Sequence, residues 1–377
     1  MAVVSSLRAW LPKLLLAAVA VLATMGVAEV VLQWTWSTEK VTLVHDPLLG
    51  FRGRGNAHTI WHREMFSHPR MVRLNDDGFH DHPRQHEPAP GTRRLVFLGD
   101  SFLEAYQVDI DSSFSQRLAH RLSRSMDHVV ESVNLGVHGY GLGVYSLQVG
   151  QRLAAWHPDA VVLCLFMGND LHDNFTPIAS AVVPRFDTRQ GQLMEHRPPA
   201  RDLRIWLRDE VLARSSLGRF FWLRVIKSSS WAMARARGLG MVSTPDLASH
   251  AAGQHEHMLE VGRLLLLRII ADLRQQGLPL HVFIIPDPFL VHDLAQQHRG
   301  VGSVVADDER LQSESMVLRL LEAQGVSYTS AREHFVRANL DSAGFYRSGF
   351  GHFTDSAHPV VTELLELPLR ELLEVSF

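Results

Sequence analysis

A chain of 377 residues, 46% hydrophobic and 20% charged, can bury a sizeable core and lacks both the charge excess and the apolar poverty of a disordered protein. Its formal net charge of −3 gives no reason to expect nucleic acid or an acidic polymer as an obligatory partner. The single cysteine, Cys164, excludes an internal disulfide. The 22 histidines show neither a Cys/His zinc spacing nor a His-Glu-x-x-His helix, so no metal and no cofactor is expected. His80, His82 and His86, and likewise His255 and His257, sit in polar surroundings and read as solvated side chains rather than a metal site.

The first element is an apolar run from Leu14 to Trp34, broken only by Glu29 and Gln33. That length crosses a bilayer. Arg8 and Lys13 precede it and Trp34 and Trp36 close it, so the positive-inside rule leaves the N-terminus in the cytoplasm and the rest of the chain on the outer, periplasmic or extracellular, side. A secretory signal cleaved after Gly26-Val27-Ala28 is the alternative, and the body is exported in both cases. Apolar residues continue past that site, which favours an uncleaved anchor over residues 1–37; Glu29 is its cost, lessened by snorkelling.

Residues 38–93 are rich in Gly, Pro, His and Arg with little periodicity, and read as a lead-in or linker. Within them Asp46 to Phe51 and Leu74 to Phe79 look like turns whose apolar residues pack on the edge of a main domain. That domain covers residues 94–377. It opens with Arg94 to Leu98, a strand-type run that stops at Gly99-Asp100-Ser101, as a buried strand does when it reaches the carboxyl edge of a parallel sheet. Asp100 and Ser101 are also good turn and cap residues, so a purely structural role is open at this point.

A regular alternation follows. Phe114, Leu118 and Leu122 share a helical face, Val129 to Leu135 is strand-like, Val144 to Ala155 helical, and Ala160 to Phe166 a second strand without alternation. Such strands are covered on both faces, and right-handed crossovers bring their carboxyl ends to one edge. From about 175 to 254 the alternation stops in an insertion. Its middle, Leu203 to Leu239, has a helical pattern with basic residues beside large aromatics, including Arg204, Trp206, Arg219, Phe220, Phe221 and Trp222, which suits a lid, a membrane-surface contact or an acidic-glycan contact. The pattern resumes with helices at Met258 to Leu273 and Leu311 to Ala323, strands at Leu280 to Ile285 and Val326 to Thr329, and a last helix around Val360 to Leu373.

Four stretches on the expected edge carry chemistry. Gly99-Asp100-Ser101 offers a hydroxyl, Asn134-Leu135-Gly136-Val137-His138-Gly139 a glycine loop that can aim an amide N–H at a ligand, and Gly168-Asn169-Asp170 a side-chain amide. The fourth runs from Gly351-His352-Phe353-Thr354 to Asp355-Ser356-Ala357-His358-Pro359 and offers a base. A serine needs a histidine to take its proton, and the tetrahedral oxyanion needs preorganised donors. Together these stretches supply both.

In these four blocks and their order the chain resembles the SGNH, or GDSL-type, hydrolases, specifically their membrane-anchored exported members, over roughly residues 94–370. The resemblance implies a three-layer α/β/α flavodoxin-like domain with a parallel sheet, Ser101 as nucleophile, and Ser101, Gly139 and Asn169 as oxyanion donors. Phe102 stands where the family name has leucine. The base is His352 or His358. His358 has Asp355 three residues upstream, whereas Gly349 and Phe350 offer His352 no carboxylate. The wider segment resembles the membrane-anchored members, in which the catalytic histidine comes first and a second one sits in the first turn of the following helix. That resemblance implies His352 as the base, on the loop before the helix that would hold His358.

The expected protein is thus a membrane-anchored, exported serine esterase that forms an acyl-enzyme on Ser101. Its partners are an acyl-ester substrate, with an acylated carbohydrate one candidate, and the membrane through the N-terminal helix. Oligomeric state is not readable from the sequence. The alternatives are an O-acyltransferase acting on a glycan and, from another class, a non-catalytic glycan-binding or assembly protein.

Overall fold

The computed structural model describes residues 2–35, 42–61, 70–174, 183–197, 215–221, 229, 254–301, 308–340, 344–346 and 352–375. In chain order come α1 (Ala2–Thr35) and two pairs of short strands, β1 (Leu43–Asp46) with β2 (Gly50–Gly53) and β3 (His58–Trp61) with β4 (Arg70–Arg73). Then follow β5 (Thr92–Leu98), α2 (Ser101–Glu104), α3 (Phe114–Ser125), β6 (Val129–Asn134), α4 (Leu142–Gln151), β7 (Ala160–Phe166), and a hairpin of β8 (Arg185–Arg189) and β9 (Gln192–His196). The remainder is α5 (Ser216–Phe221), α6 (Gln254–Gln275), β10 (Leu280–Ile285), α7 (Pro288–His298), α8 (Glu309–Ala323), β11 (Ser327–Ser330), α9 (Arg332–Leu340) and α10 (Ala357–Val375).

The chain divides into two compact units, residues 1–41 with 201–242, and residues 42–200 with 243–377. The larger unit holds a five-stranded parallel sheet of order β11-β10-β7-β5-β6. Counted along the chain this is 2-1-3-4-5, the flavodoxin-like arrangement, whose direction reverses between β5 and β7. The strands lack alternation because both faces are covered. On one face Val96, Leu98, Leu163 and Ile284 pack with Leu147 of α4 and Ile269 of α6. On the other Phe97, Val162, Cys164 and Phe283 pack with Phe114 of α3 and Leu365 of α10. The expected three-layer α/β/α domain is therefore present, with Leu280–Ile285 bounded as the apolar run indicates.

Residues 42–93 differ from the expected linker. Arg94 is 0% exposed and donates to the Glu131 carboxylate and to the carbonyls of Gln85, His86 and Trp156, so the lead-in is bolted to the sheet by one guanidinium. The Tyr140 hydroxyl donates to Phe51 O at 2.7 Å, and Asp46 pairs with Arg152 at 2.7 Å. Asp46 and Asn75 close the two expected turns with their side chains, and Leu49 and Phe51 join the core. A stretch without periodicity can still be full of tertiary contacts. His80 likewise is buried rather than solvated, its Nδ1 2.7 Å from Glu104 O. His82 pairs with Asp111 and His86 stacks on Trp156.

Helices α7 and α9 and the β8–β9 hairpin are also additional to the sequence reading. The start of α7 had a local signal, Asp287-Pro288, with the Asp287 side chain accepting from Leu290 N at 2.8 Å. The helix expected over Leu203 to Leu239 lies outside the described residues, apart from 215–221 and 229, of which Ser216–Phe221 are helical.

In the smaller unit, Pro12–Trp34 of α1 is long and apolar enough to cross a membrane, with a mean hydropathy of 2.4. Glu29 is engaged directly rather than left to snorkel. Its carboxylate accepts from Ser216 N at 2.7 Å, Leu217 N at 2.8 Å and the Ser215 hydroxyl at 2.7 Å, closing the first turn of α5.

Candidate active site

The edge where the sheet order reverses is built from the ends of β5 and β7. After Leu98 and Gly99, the Asp100 side chain accepts from Phe102 N at 2.9 Å and caps α2, which sets Ser101 at the first helical position. Backbone N–H groups there have no partner inside the helix, so the one of Ser101 is available to an anion. The Ser101 hydroxyl, half-buried, donates to Asp100 Oδ2 over a long 3.4 Å. Asp100 thus caps the helix as the structural reading expects, and in doing so presents the hydroxyl.

The second block is clamped to α2. Asn134 donates to Leu103 O and accepts from Gly136 N, each at 2.8 Å, fixing the loop after β6 against the helix that begins at Ser101. Gly139, at φ +79°, turns through the left-handed region that a side chain would strain, and it is half-buried like His138 before it. His138 Nδ1 lies 2.9 Å from the buried Glu104 carboxylate. This pair was not foreseen, because Glu104 ends α2 while His138 lies on the loop after β6, and neither sequence motif contains both.

The third block follows β7. Asp170 is buried, with its Oδ2 accepting from Phe166 N at 2.9 Å and the Tyr145 hydroxyl at 3.2 Å, and this turn holds Asn169 at the edge with its amide half-buried. Asn169 Nδ2 donates to Asp173 Oδ2 at 2.9 Å. An amide nitrogen carries two donors, so a second N–H remains for a ligand.

Three buried carboxyls, Asp100, Asp170 and Asp173, crowd this edge. Burial pushes Asp100 up to about 6, an increase restrained by the Phe102 amide and by the charge of His352. Burial and then the Asp100 charge push Asp170 well above the ordinary range and Asp173 up to about 8.

The two candidate histidines occupy different environments. His352 is half-buried, its ring 5.2 Å from that of Phe102, which follows the serine, and 5.8 Å from that of Trp61. His358 is 0% exposed in the layer between α3 and α10. Its Nδ1 accepts the Phe114 N–H at 3.2 Å and its ring stacks on Phe114, so in the neutral form the ring proton sits on Nε2. Asp355 is on the surface and pairs with Arg70 at 3.6 Å. Gly349 and Phe350 lie outside the described residues. The geometry brings His352 to the Ser101 edge and gives His358 and Asp355 other partners.

No family model and no curated protein matches the sequence. Among solved structures the chain is similar to a catalytic mutant of Axe2, an acetylxylan esterase from Geobacillus stearothermophilus, at 11% identity and a TM-score of 0.42, covering 74% of this chain and 94% of that one. It is similar to the acetyl xylan esterase AlAXEase at 12% identity and a TM-score of 0.41, covering 73% and 99%. A protein from Desulfitobacterium hafniense described as lipolytic and of the G-D-S-L family matches at 10% identity and a TM-score of 0.37, covering 73% and 98%. The chain's own sheet order of 2-1-3-4-5 makes its larger unit a flavodoxin-like α/β/α fold, and the serine, glycine, Gly-Asn-Asp and histidine blocks follow one another along the chain onto that sheet.

Proposed function

We propose that the protein is a membrane-anchored, exported serine esterase that works through an acyl-enzyme on Ser101. The observation that carries this is the set of half-buried groups at the carboxyl edge of the sheet: Ser101, Gly139, Asn169 and His352. In acylation His352 takes the Ser101 hydroxyl proton as Oγ attacks the ester carbonyl, and the carbonyl oxygen becomes an oxyanion. The N–H groups of Ser101 and Gly139 and the Asn169 amide bind that oxyanion. The tetrahedral intermediate then expels the alcohol, which leaves with the proton held by His352, and water or another hydroxyl releases the acyl group by the reverse steps.

Retention of the N-terminal helix is supported by Glu29, whose hydrogen bonds to residues 215–217 tie it to the insertion. Transfer of the acyl group to a carbohydrate hydroxyl is a second reading, favoured by the half-buried Trp61 indole beside His352, a surface on which a sugar ring can stack. A fluorophosphonate probe tests the common step: Ser101 should be labelled and Ser101→Ala should not. An unlabelled, folded wild-type protein would leave the non-catalytic glycan-binding role. Product analysis with an acetyl ester, with and without a sugar acceptor, separates hydrolysis from transfer. A mature N-terminus at Glu29 would exclude the anchor.

A further inference from the structure

Asn169 does not meet the reacting edge alone. Its partner Asp173 is 5% exposed, one helical turn further along the same segment, and Asp173 also abuts the glycine block. A Cβ on Gly141 would stand 3.2 Å from Asp173 Cβ and 2.8 Å from Asp170 O, so the two loops touch through a position that only glycine fits. Next in sequence, Asn174 accepts from Gly143 N at 2.6 Å and returns its amide to the carbonyls of Asp170 and Leu171. The segment carrying Asn169 and the loop carrying Gly139 are therefore one rigid piece. Within it Asn169 Oδ1, Asp170 Oδ1 and Asp173 Oδ1 are buried with no hydrogen-bond partner among the described residues. Such a concentration is costly and asks for a purpose beyond holding a turn.

We propose that Asp173 is the positioning residue of the oxyanion site: by holding one N–H of the Asn169 amide it aims the other at the carbonyl oxygen of the intermediate on Ser101. This rests on the catalytic reading of Ser101 and Asn169. Asp173 itself touches no reacting atom. Its protonation state matters to the step it supports. The groups that face it are Asp100 after β5, Tyr145 on α4 and Asp170 in its own segment, and burial followed by the Asp100 charge pushes it up to about 8. As a neutral acid it fixes the amide without setting a negative charge beside a forming oxyanion. Once ionised it does set that charge there, so turnover declines as pH rises through about 8.

The test uses the full-length chain in detergent, with kcat and KM for a p-nitrophenyl ester and the rate of Ser101 labelling by a fluorophosphonate, each followed from pH 6 to about 9.5. Asp173→Asn keeps an acceptor for the amide but cannot ionise; it should hold kcat within about threefold at pH 7 and lose the alkaline decline. Asp173→Ala should lower kcat by about tenfold or more while KM moves less. An alkaline decline that survives Asp173→Asn overturns the proposal, as does wild-type kcat in Asp173→Ala; if Asp173→Ala does not fold, the Asp173→Asn profile decides. Should wild-type Ser101 fail to label at any pH, the catalytic reading falls and takes this inference with it. Normal labelling with unchanged profiles in the variants sinks the positioning role alone.

Discussion

At the scale of single residues, the environment of a side chain decides whether it can do chemistry. Ser101 and His352 are half-buried at the sheet edge, whereas His358 accepts a backbone N–H from Phe114 and is enclosed by the rings of Phe114 and Phe353. His352→Ala should therefore abolish fluorophosphonate labelling of Ser101 without unfolding the protein. His358→Ala should instead cost roughly 1–3 kcal/mol of stability, by leaving the Phe114 N–H unpaired and a gap between α3 and α10, and should leave labelling in the folded fraction. Labelling that survives His352→Ala and vanishes in a folded His358→Ala protein would reverse the assignment. Asn169→Ala removes one oxyanion donor, so kcat should fall by about 10²- to 10³-fold with the melting temperature little changed. A collapse of melting temperature in that variant would mean that Gly168-Asn169-Asp170 is only a turn.

At the scale of elements, the sheet edge depends on segments that look like connectors. The hairpin pairs within residues 42–93 bring Phe51 to Tyr140 and Trp61 to His352, and buried Arg94 couples that stretch to β6 through Glu131. Arg94→Leu would take the guanidinium from three carbonyls and leave Glu131 with Arg84 as its ion-pair partner, a loss of roughly 1–3 kcal/mol. The expected sign is a lower urea midpoint together with easier proteolysis of residues 42–93. A variant as stable as wild type would show that the lead-in is held by its apolar contacts instead. The insertion divides in the same way: its hairpin, β8 with β9, buries Phe186 in the core of the larger unit, while α5 is capped by Glu29 of α1 in the smaller one.

At the scale of the whole molecule, the crowding of carboxyls behind Ser101 makes stability depend on pH. Asp100, Asp170 and Asp173 all have their folded values raised by burial, Asp100 to about 6 and Asp173 to about 8. The folded state then keeps protons that the unfolded chain has released above pH ~4, so this contribution is fully present below pH ~4 and is lost as pH rises through those raised values. Each such proton lowers stability by up to about 1.4 kcal/mol per pH unit in that window. His281 acts in the opposite sense, since burial depresses it to about 4 and its contribution is lost as pH falls from about 6.5. Urea unfolding at pH 5 and pH 8 should show a smaller loss in Asp173→Asn than in wild type; equal losses would mean that Asp173 is ionised throughout. As for what was legible, runs of apolar residues without alternation determine by themselves a parallel sheet and a membrane-length helix, and the loops that end those runs name Ser101, Gly139 and Asn169. Those properties are local, carried by neighbours in the chain. The separate surroundings of His352 and His358, the hold of Asp173 on Asn169, the Glu104–His138 pair and the anchoring of residues 42–93 were decided only by the tertiary structure. Burial and partnership there join residues as far apart as Phe114 and His358, and no local pattern records which distant group will exclude water from which.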